Sequence, residues 1–120
     1  MRLLALRGAT TCDEDTKAEI ERKTQALVTA MLERNEVMHD DLVSIFFTAT
    51  DDLHAEFPAT AARALGLGDV PLICARELDI THGMARTIRV MMHFYGDQQR
   101  KDLHHVYLEG TRKLRDDLPE

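Results

Sequence analysis

Between Arg86 and Tyr95 the chain reads RTIRVMMHFY, in which isoleucine, valine, methionine and phenylalanine alternate with threonine, arginine, methionine and histidine. A period of two predicts a β-strand over 86–95. It places Arg89 in mid-strand, on one face with Thr87, Met91 and His93. From Thr16 to about Asn35 the period is that of a helix. Ile20, Leu27, Val28, Met31 and Leu32 fall on one side, and Lys17, Glu21, Arg22 and Gln25 lie elsewhere. Thr16 followed three residues on by Glu19 has the capping-box spacing that marks a helix start.

The remaining pattern comes in shorter pieces. RLLALR (2–7) predicts a first strand closed by Gly8, and GATTCDED a turn. NEVMHDD is a loop, and LVSIFFTAT (42–50) a strongly apolar strand. After the loop DDLHAEF, Pro58 opens a short alanine-rich helix, PATAARALG, with Gly66 as its stop. VPLICA (70–75) predicts a strand, RELDITHG a loop, GDQQRKD a polar turn and HHVYL (104–108) a last short strand before a helical turn and tail. The order β-α-β-α-β-β-β suits an α/β (α+β) fold, a mixed five-stranded sheet with one long and one short helix on one face. Strands 42–50 and 86–95 are apolar on both faces, which predicts that both faces are buried. With so few helices, the second face would be covered by another copy of the chain.

The length, 120 residues, is enough for one compact domain over 1–120 and not for two. The apolar runs are too short to cross a bilayer and the N-terminus lacks a signal-peptide pattern, so the expected location is cytoplasmic, away from membranes. A net charge of −6 spread along the chain argues against nucleic acid, which needs a cationic footprint. Any site for an anion must therefore be built locally from a few arginines.

Most arginines read as solvated surface charges, as suits Arg22, Arg34, Arg100 and Arg112. Arg89 does not fit that reading, because its strand looks central. A buried guanidinium needs an anion, either a protein carboxylate, for which Glu77 is the candidate, or a ligand. Arg7, at the end of the first strand, and Arg63, on the short helix, are the other two of interest. The six histidines show no ligand spacing, and Cys12 and Cys74 no CxxC, so no metal is expected and both thiols are expected to be reduced. Cys74 reads as a buried, inert thiol and Tyr107 as a half-buried strand tyrosine. No phosphate loop is present, since GLGD lacks the lysine and the strand-turn-helix setting. From the residues alone the function pointed to is a site for a carboxylated metabolite.

Five fragments extend this reading. LRGATT, ATDDLHAEFPATAAR, VPLICARELDI, IRVMMH and HHVYLEG occur in this order and at this spacing. Together, over about residues 3 to 118, they resemble chorismate mutase of the monofunctional trimeric α/β-barrel class, which is distinct from the all-helical class. The resemblance implies a homotrimer with a pseudo-α/β-barrel core, active sites at the subunit interfaces, no cofactor, and the rearrangement of chorismate to prephenate toward phenylalanine and tyrosine. It also implies roles. Arg7 and Tyr107 would hold the side-chain carboxylate, and Arg89 that carboxylate and the ether oxygen. Glu77 and Cys74 would bind the ring hydroxyl, Phe57 and Leu114 would line the pocket, and Arg63 would attract the ring carboxylate. Thr60 and Ile73 complete the substrate-binding positions, and Arg89, Glu77 and Arg7 would carry the catalysis. Thr60 stands where some members have a lysine, His82 interrupts a loop that is often glycine-rich, and His104 replaces a frequent arginine.

This chemistry agrees with what the chain lacks. A concerted, unimolecular rearrangement needs no nucleophile, base or cofactor. It needs the substrate held in a compact form and a fixed positive charge where the ether oxygen gains negative charge. The alternative is a non-catalytic or differently catalytic trimer that binds a small carboxylated metabolite at its interfaces. Such a binder has no need of the hydroxyl contacts from Cys74 and Glu77, so the full set Arg7, Cys74, Glu77, Arg89 and Tyr107 discriminates the two.

Overall fold

The computed structural model describes residues 1–115. Its elements are β1 (Arg2–Thr11), α1 (Lys17–Arg34), β2 (Leu42–Ala49), α2 (Pro58–Ala62), β3 (Leu72–Arg76), β4 (Thr87–Gly96) and β5 (Val106–Tyr107). They form one mixed sheet in the order β3-β2-β4-β1-β5. The β2–β3 and β1–β5 pairs are parallel, and β4 runs antiparallel to both of its neighbours. The alternation in β4 decides what each face does. Ile88, Val90, Met92 and Phe94 are buried, and four of the core residues with which they pack, Leu27, Val28, Met31 and Ile20, come from α1. Among the described residues no helix is long and apolar enough to cross a membrane.

The start of α1 follows the capping signal with one difference. The Thr16 hydroxyl accepts the Glu19 N–H at 3.2 Å, but the Glu19 carboxylate reaches past the cap to accept the Asp13 N–H at 2.8 Å. That hydrogen bond is the main reason the Glu19 carboxyl is held below the usual range. The helix ends at Asn35. Its buried side chain donates to the carbonyls of Met31 and His104, both at 2.9 Å, and accepts the His104 N–H at 2.7 Å.

Several expectations are corrected. The first strand does not close at Gly8; it runs to Thr11, with Gly8 opposite Val90. Gly8 is required by packing rather than by a turn. A β-carbon there would lie 2.5 Å from Met31 Sδ and 3.0 Å from Leu27 Cδ1, so the glycine is where α1 presses closely on the sheet. We expect Gly8→Ala to lower stability by about 1–3 kcal/mol, the usual cost of overpacking, because Met31 is fully buried and must repack within the core. Chemical denaturation would measure this; an unchanged midpoint would show that α1 or the Met31 side chain gives way without cost.

The last strand is two residues long rather than five, since only Val106 and Tyr107 pair with β1. Gly66 does not simply stop the short helix. The chain continues in a wider turn over Arg63–Leu67, in which Gly66 takes a left-handed conformation (φ 88°). The expected burial of both sheet faces is not met within a single chain. The face opposite the helices is open, with Leu3, Phe46, Ile73 and Tyr95 all about half exposed or more. The side chain of Arg89 is 51% exposed for the same reason. Of the predicted tail, residues 116–120 lie outside the described residues.

Candidate active site

The register places one row of residues straight across the open face. Ala75 pairs with Thr48, Thr48 with Arg89, Arg89 with Ala9, and Ala9 with Tyr107. All five strands contribute, and paired residues point to the same side. Arg89 and Tyr107 therefore flank Ala9. At the usual strand spacing their backbones stand roughly 10 Å apart, with only a methyl group between them. Arg7 lies on the same face of β1, opposite Met91.

Glu77 enters this row because it immediately follows β3 and its N–H donates to the Ala49 carbonyl at 2.9 Å. Its Oε2 accepts the Thr48 hydroxyl at 2.6 Å and lies 3.3 Å from Arg89 Nε. The carboxylate partner expected for Arg89 is thus present, clamped by Thr48. Arg89 and Glu77 line a cleft of about 210 Å³ together with Thr50, Leu78, Met84 and Thr87. Arg7 opens instead onto a larger groove of about 770 Å³ along the same face, with Arg2, Met91, His93, Arg100 and Lys101. Its backbone N–H donates to His105 Nδ1 at 3.0 Å, which fixes the segment leading into β5.

A second group gathers at the β3 edge and α2. Phe57, just before α2, is 66% exposed. Arg63 Nη2 donates to the Thr60 hydroxyl at 3.0 Å, the Thr60 hydroxyl donates to Glu56 Oε1 at 3.3 Å, and the same oxygen accepts the Phe57 N–H at 2.9 Å. Glu56 therefore orders Phe57, Thr60 and Arg63 at once. Cys74 pairs with Phe47 and so faces α2, whereas its neighbour Ile73 faces the open side. Cys74 and Phe57 line a cavity of about 440 Å³ with Thr50, Asp51, Leu53 and Glu56.

Cys74 is half-buried rather than fully buried, and Cys12 is buried; both are free thiols. Burial pushes the Cys74 thiol above its ordinary value, and it pushes Cys12 to about 11, with the Glu19 charge adding to the shift. Neither has the lowered pKa of an activated nucleophile. Leu114 lies half-buried on the C-terminal 3₁₀ turn, Glu109–Arg115. The predicted site residues therefore do not line one cavity in a single chain. Arg7, Glu77, Arg89 and Tyr107 share the open face, while Phe57, Thr60, Arg63 and Cys74 surround α2. Sequence reasoning missed Thr48 and Glu56, which hold these groups in place. The spacing of Glu56, Thr60 and Arg63 on one side of a helical turn was a usable signal, but the Thr48–Glu77 bond depends on strand pairing.

A protein-family model, chorismate mutase type I, matches residues 3–118. The chain belongs to the type I chorismate mutase family. Relatives include the chorismate mutase AroH of Bacillus subtilis (strain 168), 44% identical over 119 residues, covering 98% of this chain and 94% of the relative. The AroH chorismate mutase of Thermus thermophilus is 40% identical over 114 residues, covering 94% of this chain and 93% of the relative. Among solved structures, a chorismate mutase from Clostridium thermocellum superposes with a TM-score of 0.90 at 45% identity, covering 92% of this chain and 98% of that one. At this identity and coverage the family likeness spans both groups of candidate residues, the one on the open face and the one around α2.

Proposed function

We propose that this protein rearranges chorismate to prephenate at sites shared between adjacent copies of a homotrimer. The observation that carries the mechanism is Arg89, mounted in the middle of a five-strand row and held at 3.3 Å by a Glu77 carboxylate that Thr48 itself clamps. The assembly is supported by the bare apolar face and by the division of the candidate residues into two groups. In a head-to-tail ring the α2 edge of one copy would meet the Arg89 face of the next, so each group would complete the other.

The substrate carries two carboxylates and a ring hydroxyl. Arg7, Tyr107 and Arg89 bind the side-chain carboxylate, and Arg63 draws in the ring carboxylate. Glu77 accepts a hydrogen bond from the ring hydroxyl, with Cys74 on its other side. Phe57, Ile73, Thr60 and Leu114 line the walls. Bound at these points, the flexible molecule is restricted to the compact geometry from which a carbon–carbon bond forms as the carbon–oxygen bond breaks. The ether oxygen gains charge as the bond opens, and the Arg89 guanidinium stabilises that oxygen more in the transition state than in the ground state. A strand in the centre of the sheet is a rigid mount, so little reorganisation accompanies the reaction.

The direct test is the fall of chorismate absorbance on adding purified protein without added metal or cofactor, with prephenate identified as product. Binding of chorismate without turnover would replace this proposal by the alternative of a carboxylate-binding trimer. Because no side chain transfers a proton, turnover is expected to be nearly flat across neutral pH. A bell-shaped profile with two limbs near neutrality would mean general acid–base catalysis and would exclude this mechanism.

A further inference from the structure

We infer that Lys23, on the long helix and outside both groups of site residues, is a positioning residue that sets the placement of Tyr107 through its ion pair with Glu109. The inference rests on the reading of Tyr107 as a donor to the substrate carboxylate.

Lys23 is 7% exposed, unusual for a lysine, and its Nζ lies 2.8 Å from Glu109 Oε1. The other acids near it are Glu19 and Asp13. Glu19 is already engaged by the Asp13 N–H and by Arg22. Glu109 stands two residues after Tyr107 and has φ 54°, in the left-handed region that a non-glycine residue enters at a cost. Gly110 stands next in the chain and would take that conformation freely, yet the left-handed residue is Glu109. The side chain, and so the ion pair, explains why a glutamate stands there.

Tyr107 needs this support because its strand is weak. β5 is two residues long and pairs only with β1, at the edge of the sheet. The turn after Tyr107 is tied down closely. The Ala9 carbonyl accepts the Leu108 N–H at 2.9 Å and the Thr111 hydroxyl at 3.0 Å, and Gly110 N–H donates to Thr11 Oγ1 at 3.4 Å. These bonds fasten the turn to β1. The Lys23–Glu109 pair links the same turn to α1, and it fixes the direction in which the chain leaves Tyr107. Stability alone does not require the pair, since the Glu109 side chain is about half exposed and water can solvate its carboxylate when an apolar residue of similar length replaces Lys23.

The test is a double-mutant cycle on kcat/KM with Lys23→Met and Tyr107→Phe, checked for folding by circular dichroism. Lys23→Met should fold, and its kcat/KM should fall about tenfold, the scale of one misplaced hydrogen bond. In that background Tyr107→Phe should have little further effect, whereas Arg63→Ala should lower kcat/KM by the same factor as in wild type. Lys23→Arg, which keeps the charge, should restore most of the activity. Glu109→Gly relaxes the backbone but unpairs Lys23, and should match Lys23→Met; it also carries the test if Lys23→Met does not fold. Wild-type kcat/KM in Lys23→Met or in Glu109→Gly overturns the inference. So does strict additivity of Lys23→Met with Tyr107→Phe, which would leave the role of Tyr107 intact. A Tyr107→Phe variant with full activity overturns both the inference and the assignment of Tyr107.

Discussion

Arg89→Ala is expected to fold and assemble normally and to lose chorismate turnover by at least about 10²-fold, the scale for removing one donor to a developing oxyanion. Folding should survive because the side chain lies on the open face, 51% exposed in the single chain, outside the hydrophobic core. Glu77 would lose one partner but keep the Thr48 hydroxyl at 2.6 Å. The loss should fall on both substrate affinity and kcat, because in the proposed site Arg89 holds the side-chain carboxylate in the ground state and the ether oxygen as charge develops there. Arg89→Lys should recover part of the rate. It keeps the charge but loses the planar fork that can pair with Glu77 and reach a substrate at the same time. Stopped assays on the purified variants decide the matter. Near-normal turnover in Arg89→Ala would mean that the guanidinium is there for the ion pair with Glu77 and nothing more.

Two inactive variants should restore one another when refolded together. Arg89→Ala would remove the proposed ether-oxygen contact. Phe57→Asp sets a negative charge against a dianionic substrate, which is strongly unfavourable in a water-excluding pocket. Phe57 is 66% exposed in the single chain, so its replacement should not disturb the core. In a head-to-tail ring a site is competent only if one copy supplies Arg89 and its neighbour an intact Phe57. Each condition has even odds in an equal mixture, so about one site in four should work by random assembly around the ring. Activity should return to about a quarter of the wild-type value from two proteins that have none alone. Mixed trimers that form by mass and stay inactive would place both residues in one chain's site. The separation of Arg89 and Phe57 into different cavities of the single chain would then need another explanation.

What the sequence by itself determined is local. The alternation of β4, the 3.6-residue period of α1, the Thr16 cap and the proline opening α2 each depend on residues a few positions apart, and each element formed where its pattern lies. The composition likewise limited the chemistry, and five short fragments in register pointed to the family. The tertiary structure decided what depends on partners distant in the chain. Gly8 reads as a strand end until α1 is seen pressing on it from Leu27 and Met31. The last strand shrinks to Val106 and Tyr107 because the returning segment runs alongside β1 for just those two residues. Arg89 was legible as an anomaly, a charge in a strand that looked buried. That its face is open in one chain depends on the helices covering one side alone. Thr48 and Lys23 carried no signal strong enough to single them out, and Glu56 only its one-turn spacing from Thr60. The importance of Thr48 and Lys23 comes from what strand register and helix packing bring beside them, and those contacts join residues twenty-nine and eighty-six positions apart.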